Sequence, residues 1–221
     1  RSLIGSQTRN TCIITRLMNT DLYKQNNHLH HTLTTNYRSD KSIVDFLAGY
    51  HYDNQLTANS TEKGTLAGIH VDTIHELSEG SAVSLPEAMM ALQLGQHYTN
   101  LGKSVTILSY YSGTLFLIKK LMYYKGITNI SCYTTESVQG LESDIVILVT
   151  SIRNEQSLWH ENNRRLAVAI SRSSNQFILI ADFHKAADIK AFKPLITYMH
   201  KENEITCCQR TRDQIANKLY K

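Results

Sequence analysis

Long apolar runs are missing from this 221-residue chain. Nothing in it approaches the roughly 20 residues that cross a bilayer as a helix, and no signal peptide is visible. Cysteine is scarce: Cys12, Cys132 and the adjacent Cys207 and Cys208 fit neither a zinc set nor a disulfide framework, which predicts a reducing compartment. A phosphate-cradling loop is missing too. That motif needs G-x-x-x-x-G-K-[ST] between a strand and a helix, so that amides at the helix start face the phosphates. Gly102-Lys103-Ser104 supplies only the last three residues, after a helical stretch and before an apolar one, with His97 where the first Gly belongs. It reads as a helix end with Gly102 left-handed. No D-E-x-x pattern, internal repeat or low-complexity run is found. The net charge of +4 permits nucleic-acid binding without requiring it. His28, His30 and His31 have no Cys or carboxylate at ligand spacing and read as a solvated loop, so no metal site is predicted. The chain opens at Arg1 rather than Met, as expected of a fragment of a longer protein.

What is present is a core-forming pattern. Hydrophobic residues make up 42% of the chain, enough for one large domain or two small ones. The organising stretch runs from Ser131 to Asp182. Ile145 to Val149 and Phe177 to Ile180 are short Ile- and Val-rich runs bounded by polar residues, like buried strands of a parallel sheet, and a helix begins near Asn162 between them. Ser131 to Thr134 reads as a third strand. In such sheets ligands bind beyond the carboxyl ends of the strands. Gln139-Gly140-Leu141-Glu142 follows the third strand: the Gly lets backbone approach a phosphate, and the Glu142 carboxylate can accept hydrogen bonds from a ribose. Arg165 and Arg172, seven residues apart, are predicted to share a helix face beside Leu166, Ala169 and Ile170. Tyr37 and Arg38 follow a strand at Thr32 to Thr35 and precede a helix to about Gly49 that Ser39 can cap. They read either as a base plane with a phosphate cation, or as a packing aromatic beside a surface arginine.

These segments together resemble a known family. TTESVQGLESDIVILVTSIR (Thr134 to Arg153) resembles motif V of superfamily 1 helicases, and RRLAVAISR (Arg164 to Arg172) resembles their motif VI, in the order and spacing of the Upf-like branch. LTTNYRS (Leu33 to Ser39) is similar to the Y-R motif opening that branch's second RecA-like domain. TILSYYSGTLFLIKKLM (Thr106 to Met122) resembles motif IV and its surroundings. Within the branch, this segment and SDIVIL (Ser143 to Leu148) are similar to the NFX-type zinc-finger helicases linked to RNA silencing.

The resemblance implies an α/β, RecA-like fold: a mostly parallel sheet between helices, forming the second of two motor domains over residues 32–182. Residues 1–31 are then a lead with a packing helix (Ile13, Ile14, Leu17, Met18), and 183–221 are terminal helices on the same domain. It implies ATP bound in the cleft with the first RecA-like domain, which would bring Mg²⁺ and the phosphate loop. Tyr37 would stack on adenine, Arg38 and Arg172 would reach the γ-phosphate, and Gln139, Gly140, Glu142 and Arg165 would line the nucleotide. Ser109, Tyr111, Thr134 and Thr135 would meet the backbone of a single strand. The expected whole is a 5′-to-3′ RNA helicase, with DNA as the alternative substrate; the isolated chain is expected to be inactive. A cytoplasmic place is expected, with nuclear or granule-associated alternatives, and no membrane partner.

The chain departs from the family at several positions. Tyr110 stands for a Pro, Thr114 for a Gln, Glu136 for an Asp, Ala167 for an Asn, and Ser173-Ser174 for Ala-Arg or Ala-Lys. These departures open a second reading, a degenerate module acting as an interaction scaffold. Tyr110 and Tyr111 can equally cover the sheet edge, and Arg172 can complement a helix dipole. Lys119, Lys120 and Lys125 read as a solvated helix face. Asp72 to Leu85 is predicted as a loop, and Pro86 as the start of a helix to about Leu101 with Ala88, Met89, Leu92, Leu94 and Tyr98 on the core.

Overall fold

The computed structural model describes residues 13–26, 28, 33–73, 76–78, 80–138, 140–153 and 162–220. It separates into two units, Arg1–Thr34 and Thr35–Lys221. The first holds α1 (Ile13–Met18), over the expected stripe, and α2 (Asp21–Gln25), whose cap Thr20 accepts from the Tyr23 amide at 3.3 Å. His28 is exposed; His30 and His31 lie outside the described residues.

In the second unit β1 (Thr35–Asn36) leads into α3 (Lys41–His51), then β2 (Thr57–Ala58), β3 (Thr65–His70), β4 (Glu76–Ser78) and β5 (Ser81–Val83). There follow α4 (Leu85–Asn100), β6 (Val105–Ser109), α5 (Ser112–Lys125), β7 (Ser131–Thr134), β8 (Ser143–Val149), α6 (Asn163–Ile170) and β9 (Ser173–Ala181). The unit closes with α7 (Phe183–Ala186), α8 (Lys193–Lys201), β10 (Ile205–Thr206) and α9 (Gln209–Leu219). Six strands form one sheet in the order β10-β3-β9-β8-β6-β7, every neighbouring pair parallel.

Alternation along the strands decides the layers, because successive side chains point to opposite faces. In β8, Val146 and Leu148 join a core with residues of α3, α6, α8 and α9, while Ile145, Ile147 and Val149 join one with α4 and α5. A sheet covered on both faces needs such uniformly apolar strands. The fold is therefore the α/β, RecA-like one expected from the sequence.

Four local readings are corrected. The predicted loop at Asp72 to Leu85 contains the antiparallel hairpin of β4 and β5, which docks on the start of α5 through Gly113 N to Ser81 Oγ (2.9 Å) and Thr114 Oγ1 to Ala82 O (3.1 Å). Of the strand expected at Thr32 to Thr35, Thr32 lies outside the described residues and Leu33 and Thr34 are in no strand; only Thr35 falls in β1, paired with β2. Met89 is 55% exposed, and the buried face of α4 is Glu87, Ala88, Ala91, Leu92 and Gly95. Ser39 does not cap α3; Asp40 holds the cap position, and the Ser39 hydroxyl donates to Ser173 O at 2.7 Å. Gly102, just past α4, has φ +76° as expected.

Candidate nucleotide and nucleic-acid sites

An Asx-type turn aims Tyr37 and Arg38. The Asn36 side-chain oxygen accepts from the amides of Arg38 (2.8 Å) and Ser39 (2.9 Å), and Asp40 N donates to Ser174 O at 2.8 Å, fastening the turn to β9. Tyr37 is left 77% exposed, its ring uncovered. Arg38 Nε donates to Glu142 Oε2 at 2.5 Å, and Arg38 Nη1 to Ser171 O at 3.2 Å. Arg172 meets the same residue: its Nη2 donates to Ser171 Oγ at 3.0 Å, its Nη1 to Leu141 O at 3.4 Å and its Nε to Val168 O at 3.3 Å. Ser171 thus draws two guanidiniums together, with one carboxylate between the elements that carry them. Burial and the neighbouring Arg38 charge both lower the Arg172 pKa. Two cations share the partial compensation of Glu142, so an anion placed here would relieve a standing repulsion.

Gly140 and Glu142 lie on the approach to β8, and Arg172 immediately before β9, so this cluster sits at the amino ends of those strands. The expected placement beyond carboxyl ends is corrected. Gly140 has φ +80°, with nothing within 4 Å of an added Cβ, so its glycine serves the turn itself. The shared helix face is corrected as well: α6 stops at Ile170, and Arg172 lies in the turn beyond it, where its bond to Val168 O also closes the helix end. Gln139 lies outside the described residues.

Arg165 is not part of the cluster. It is 7% exposed, and its guanidinium pairs with Glu136 at 3.1 Å. Since α6 runs back from the carboxyl end of β8 to the amino end of β9, its first turn and its last lie at opposite ends of the sheet. Arg165 braces the turn after β7, at the other end of the sheet from Arg38 and Arg172.

The four residues assigned to a strand of nucleic acid gather at the carboxyl ends of β6 and β7, but they are not equally available. Ser109 is fully buried, its hydroxyl accepting from Tyr111 N (3.1 Å) and donating to Tyr111 O (2.9 Å). Thr135 is 3% exposed. Neither side chain can reach a bound strand, and those two assignments are corrected. Tyr111 and Thr134 are half-buried at the surface, and the Thr134 hydroxyl lies 3.0 Å from that of the exposed Ser137. Ser137 was missed; the Thr-x-x-Ser spacing of a hydroxyl-bonded turn could have found it.

Of the family departures, Glu136 is exposed and Ser174 half-buried; the others point inward. Thr114 is fully buried, 2.7 Å from Ser151 Oγ; Tyr110 packs edge-on against Phe192 at 6.0 Å; Ala167 is in the core; and Ser173 donates to Ile170 O at 2.7 Å. Ser174 donates to Ser143 O at 3.4 Å, joining β9 to β8. None of these side chains touches Arg38 or Arg172 among the described contacts.

Glu87 was not singled out from the sequence. Fully buried in the first turn of α4, its Oε2 accepts from the amides of Thr150 and Ser151 at 2.8 Å each, fixing the loop after β8 where Ser151 takes φ +47°. Burial pushes its pKa up to about 8 against the opposing pull of those amides. A group of His70, Asp72 and His184 lies nearby in the chain's carboxyl-end loops, with ligand atoms within 4.8 Å of one another. The Phe183 amide donates to His70 Nδ1 at 3.1 Å, which leaves the ring proton on Nε2 facing Asp72 at 3.1 Å. A metal at that nitrogen would have to displace the proton; His184 meets His70 through an edge-on ring contact at 4.9 Å. A groove of about 800 Å³ between α3 and α8, lined by Phe46, Tyr50, Pro194 and Tyr198, shares none of the candidate residues.

A family profile described as "AAA domain" matches residues 14–184, well over half of the chain. NFX1-type zinc finger-containing protein 1 of Homo sapiens is 27% identical over 145 residues, and that of Mus musculus 28%; each match covers 61% of this chain and 8% of the relative. The chain therefore spans a small part of the length of the curated relatives it matches. Among solved structures, the C-terminal domain of a possible DNA helicase from Lactobacillus plantarum WCFS1 is 15% identical, covering 66% of this chain and 86% of that one with a TM-score of 0.48. A helicase, nsp10 of PRRSV, is 15% identical over 67% of this chain and 23% of that one, TM-score 0.34. Both likenesses are distant, and the profile match is what assigns the family. This chain belongs to the family that the profile describes as "AAA domain".

Proposed function

We propose that this domain supplies two arginine fingers and part of the single-strand grip of an ATP-driven 5′-to-3′ RNA helicase. The observation that carries the reading is the convergence of Arg38 and Arg172 on Ser171, from segments far apart in sequence, with Glu142 the carboxylate that pairs with Arg38 among the described residues. Such an arrangement fits the polyphosphate of ATP. The exposed Tyr37 ring offers a face to the base, Glu142 can take the ribose once phosphate replaces it beside Arg38, and the guanidiniums stabilise charge that grows on the transferred phosphoryl group. Mg²⁺ would neutralise phosphate charge, held mainly by the first RecA-like domain. The strand would pass the other end of the sheet, along Tyr111, Thr134 and Ser137, where hydroxyls meet backbone without reading bases.

The scaffold reading rests on the departures at Tyr110, Thr114, Ala167 and Ser174, and the inward positions of the first three weaken it. The test is single-strand-stimulated ATP hydrolysis by the full-length protein, wild type against Arg172→Ala and Arg38→Ala, on RNA and on DNA. Loss of one arginine finger is expected to lower turnover about a thousandfold. Equal turnover in wild type and both variants would sink the motor reading, and preference for DNA would sink the RNA assignment.

A further inference from the structure

One face of α5 is used neither by the core nor by the arginine cluster. Leu115, Leu117, Leu121 and Met122 pack around buried Ile118, while Phe116, Lys119, Lys120, Tyr123, Tyr124 and Lys125 face solvent. Phe116 is 70% exposed, Tyr123 84% and Tyr124 72%, and the two tyrosine rings meet edge to face at 5.8 Å. Positions 116, 119, 120 and 123 follow the i, i+3, i+4, i+7 pattern, so rings and ammonium groups alternate along one stripe. A merely solvated face has no need of three large rings held in water.

The chain that builds this flank carries charge of one sign, with Glu136 and Asp144 the carboxylates beside it. From Ala88 to Thr135 there is no Asp or Glu, whereas Lys103, Lys119, Lys120 and Lys125 are all present. That stretch builds β6, α5, β7 and α4 beyond its first turn, which holds the buried Glu87, on the flank of the sheet at its β7 edge. Tyr111 is the cap residue of α5, so the stripe begins where Tyr111, Thr134 and Ser137 gather and runs away from them along the helix.

We propose that this face of α5 is a second contact surface for single-stranded nucleic acid, continuous with the carboxyl-end groups. It rests on the reading that the protein acts on a single strand. Phe116, Tyr123 and Tyr124 present ring faces to bases, and Lys119, Lys120 and Lys125 meet phosphates. Stacking accepts any base and lysine reads no base edge, so the surface holds a strand without choosing its sequence. An acidic protein segment would satisfy the lysines but bring no flat partners for the rings.

The test titrates the protein, without ATP, against fluorescein-labelled oligouridine across a salt series, read by anisotropy. Phe116→Ala with Tyr123→Ala and Tyr124→Ala is expected to weaken binding about tenfold or more. Lys119→Gln with Lys120→Gln is expected to reduce the steepness of log K against log salt by about 1.4, since each single-strand phosphate contact contributes about 0.7. All five side chains are exposed, and unchanged melting curves check that the variants fold. With no ATP present, the outcome does not depend on whether Arg38 and Arg172 act in hydrolysis. Wild-type binding with unchanged affinity and slope in both variants overturns the inference and leaves the motor reading standing; no binding by wild type at low salt overturns both. Neutral aromatic variants, with polyglutamate competing as well as RNA, overturn it in favour of an acidic protein partner.

Discussion

The two ends of the central strands treat polar groups in opposite ways. At the carboxyl ends, Ser109, Thr114, Ser151 and Glu87 are buried and spend their hydrogen bonds on one another and on backbone. At the amino ends of β8 and β9, Arg38 and Glu142 stay 35% and 63% exposed, and Arg172 crowds a second cation beside them. Polar groups bonded inward brace a loop, although Glu87 Oε1 and Thr135 Oγ1 have no hydrogen-bond partner among the described residues; under-compensated charge at the surface is open to an anion. Motif membership alone does not separate the two roles, because Arg165 and Arg172 belong to one motif and fall on opposite sides of this division.

The largest effect should come from exchanging arginines across it. In the full-length protein, Arg38→Met is expected to cut ATP turnover about a thousandfold, while Arg165→Met leaves it near wild type; steady-state hydrolysis decides, and equal losses would erase the distinction. The next effect concerns the braced end. Glu87 holds its proton to a higher pH when folded than when unfolded, so its contribution to stability is complete below about pH 4.5 and is lost as pH rises toward about 8. Urea unfolding across that window should show a decline on the order of a few kcal/mol, and Glu87→Gln should flatten it. A slope that survives the substitution would mean that burial does not govern this carboxyl. Smaller again is the Arg165 and Glu136 pair: with Glu136 42% exposed, a double-mutant cycle by urea unfolding should give a coupling of about 1 kcal/mol, with no change in nucleotide affinity. The smallest is Gly140→Ala. Its added methyl meets nothing, so only the left-handed backbone is penalised, about 1 kcal/mol read as a drop in melting temperature.

The strands and the site differ in how far local sequence reveals them. The runs now seen as β7, β8 and β9, the start of α6 after Asn162 and the left-handed Gly102 were legible because each is set by its own periodicity or cap. Tyr37, Arg38 and Arg172 were singled out through motif resemblance, and the structure brings the two arginines together on Ser171. The pairing of Arg38 with Glu142 was not, since the two lie in segments joined only by the folded sheet. Burial of Ser109 was hidden for a related reason: whether a hydroxyl at a strand end faces a ligand or turns back on its own chain depends on the next loop. Glu87 drew no reading from the sequence, and nothing local announced that the loop after β8 would close over it. The stop of α6 at Ile170, with no Gly or Pro to mark it, moved Arg172 off the helix.

The link between β7 and β8 is pinned to α6 and its following turn twice, by Glu136 to Arg165 at one end of the sheet and by Leu141 O to Arg172 at the other. Two members pinned at both ends behave as a braced frame: neither slides lengthwise past the other without breaking a pin. Displacing the Arg172 guanidinium therefore loads a helix whose other end is tied to the Glu136 turn, beside Thr134 and Ser137.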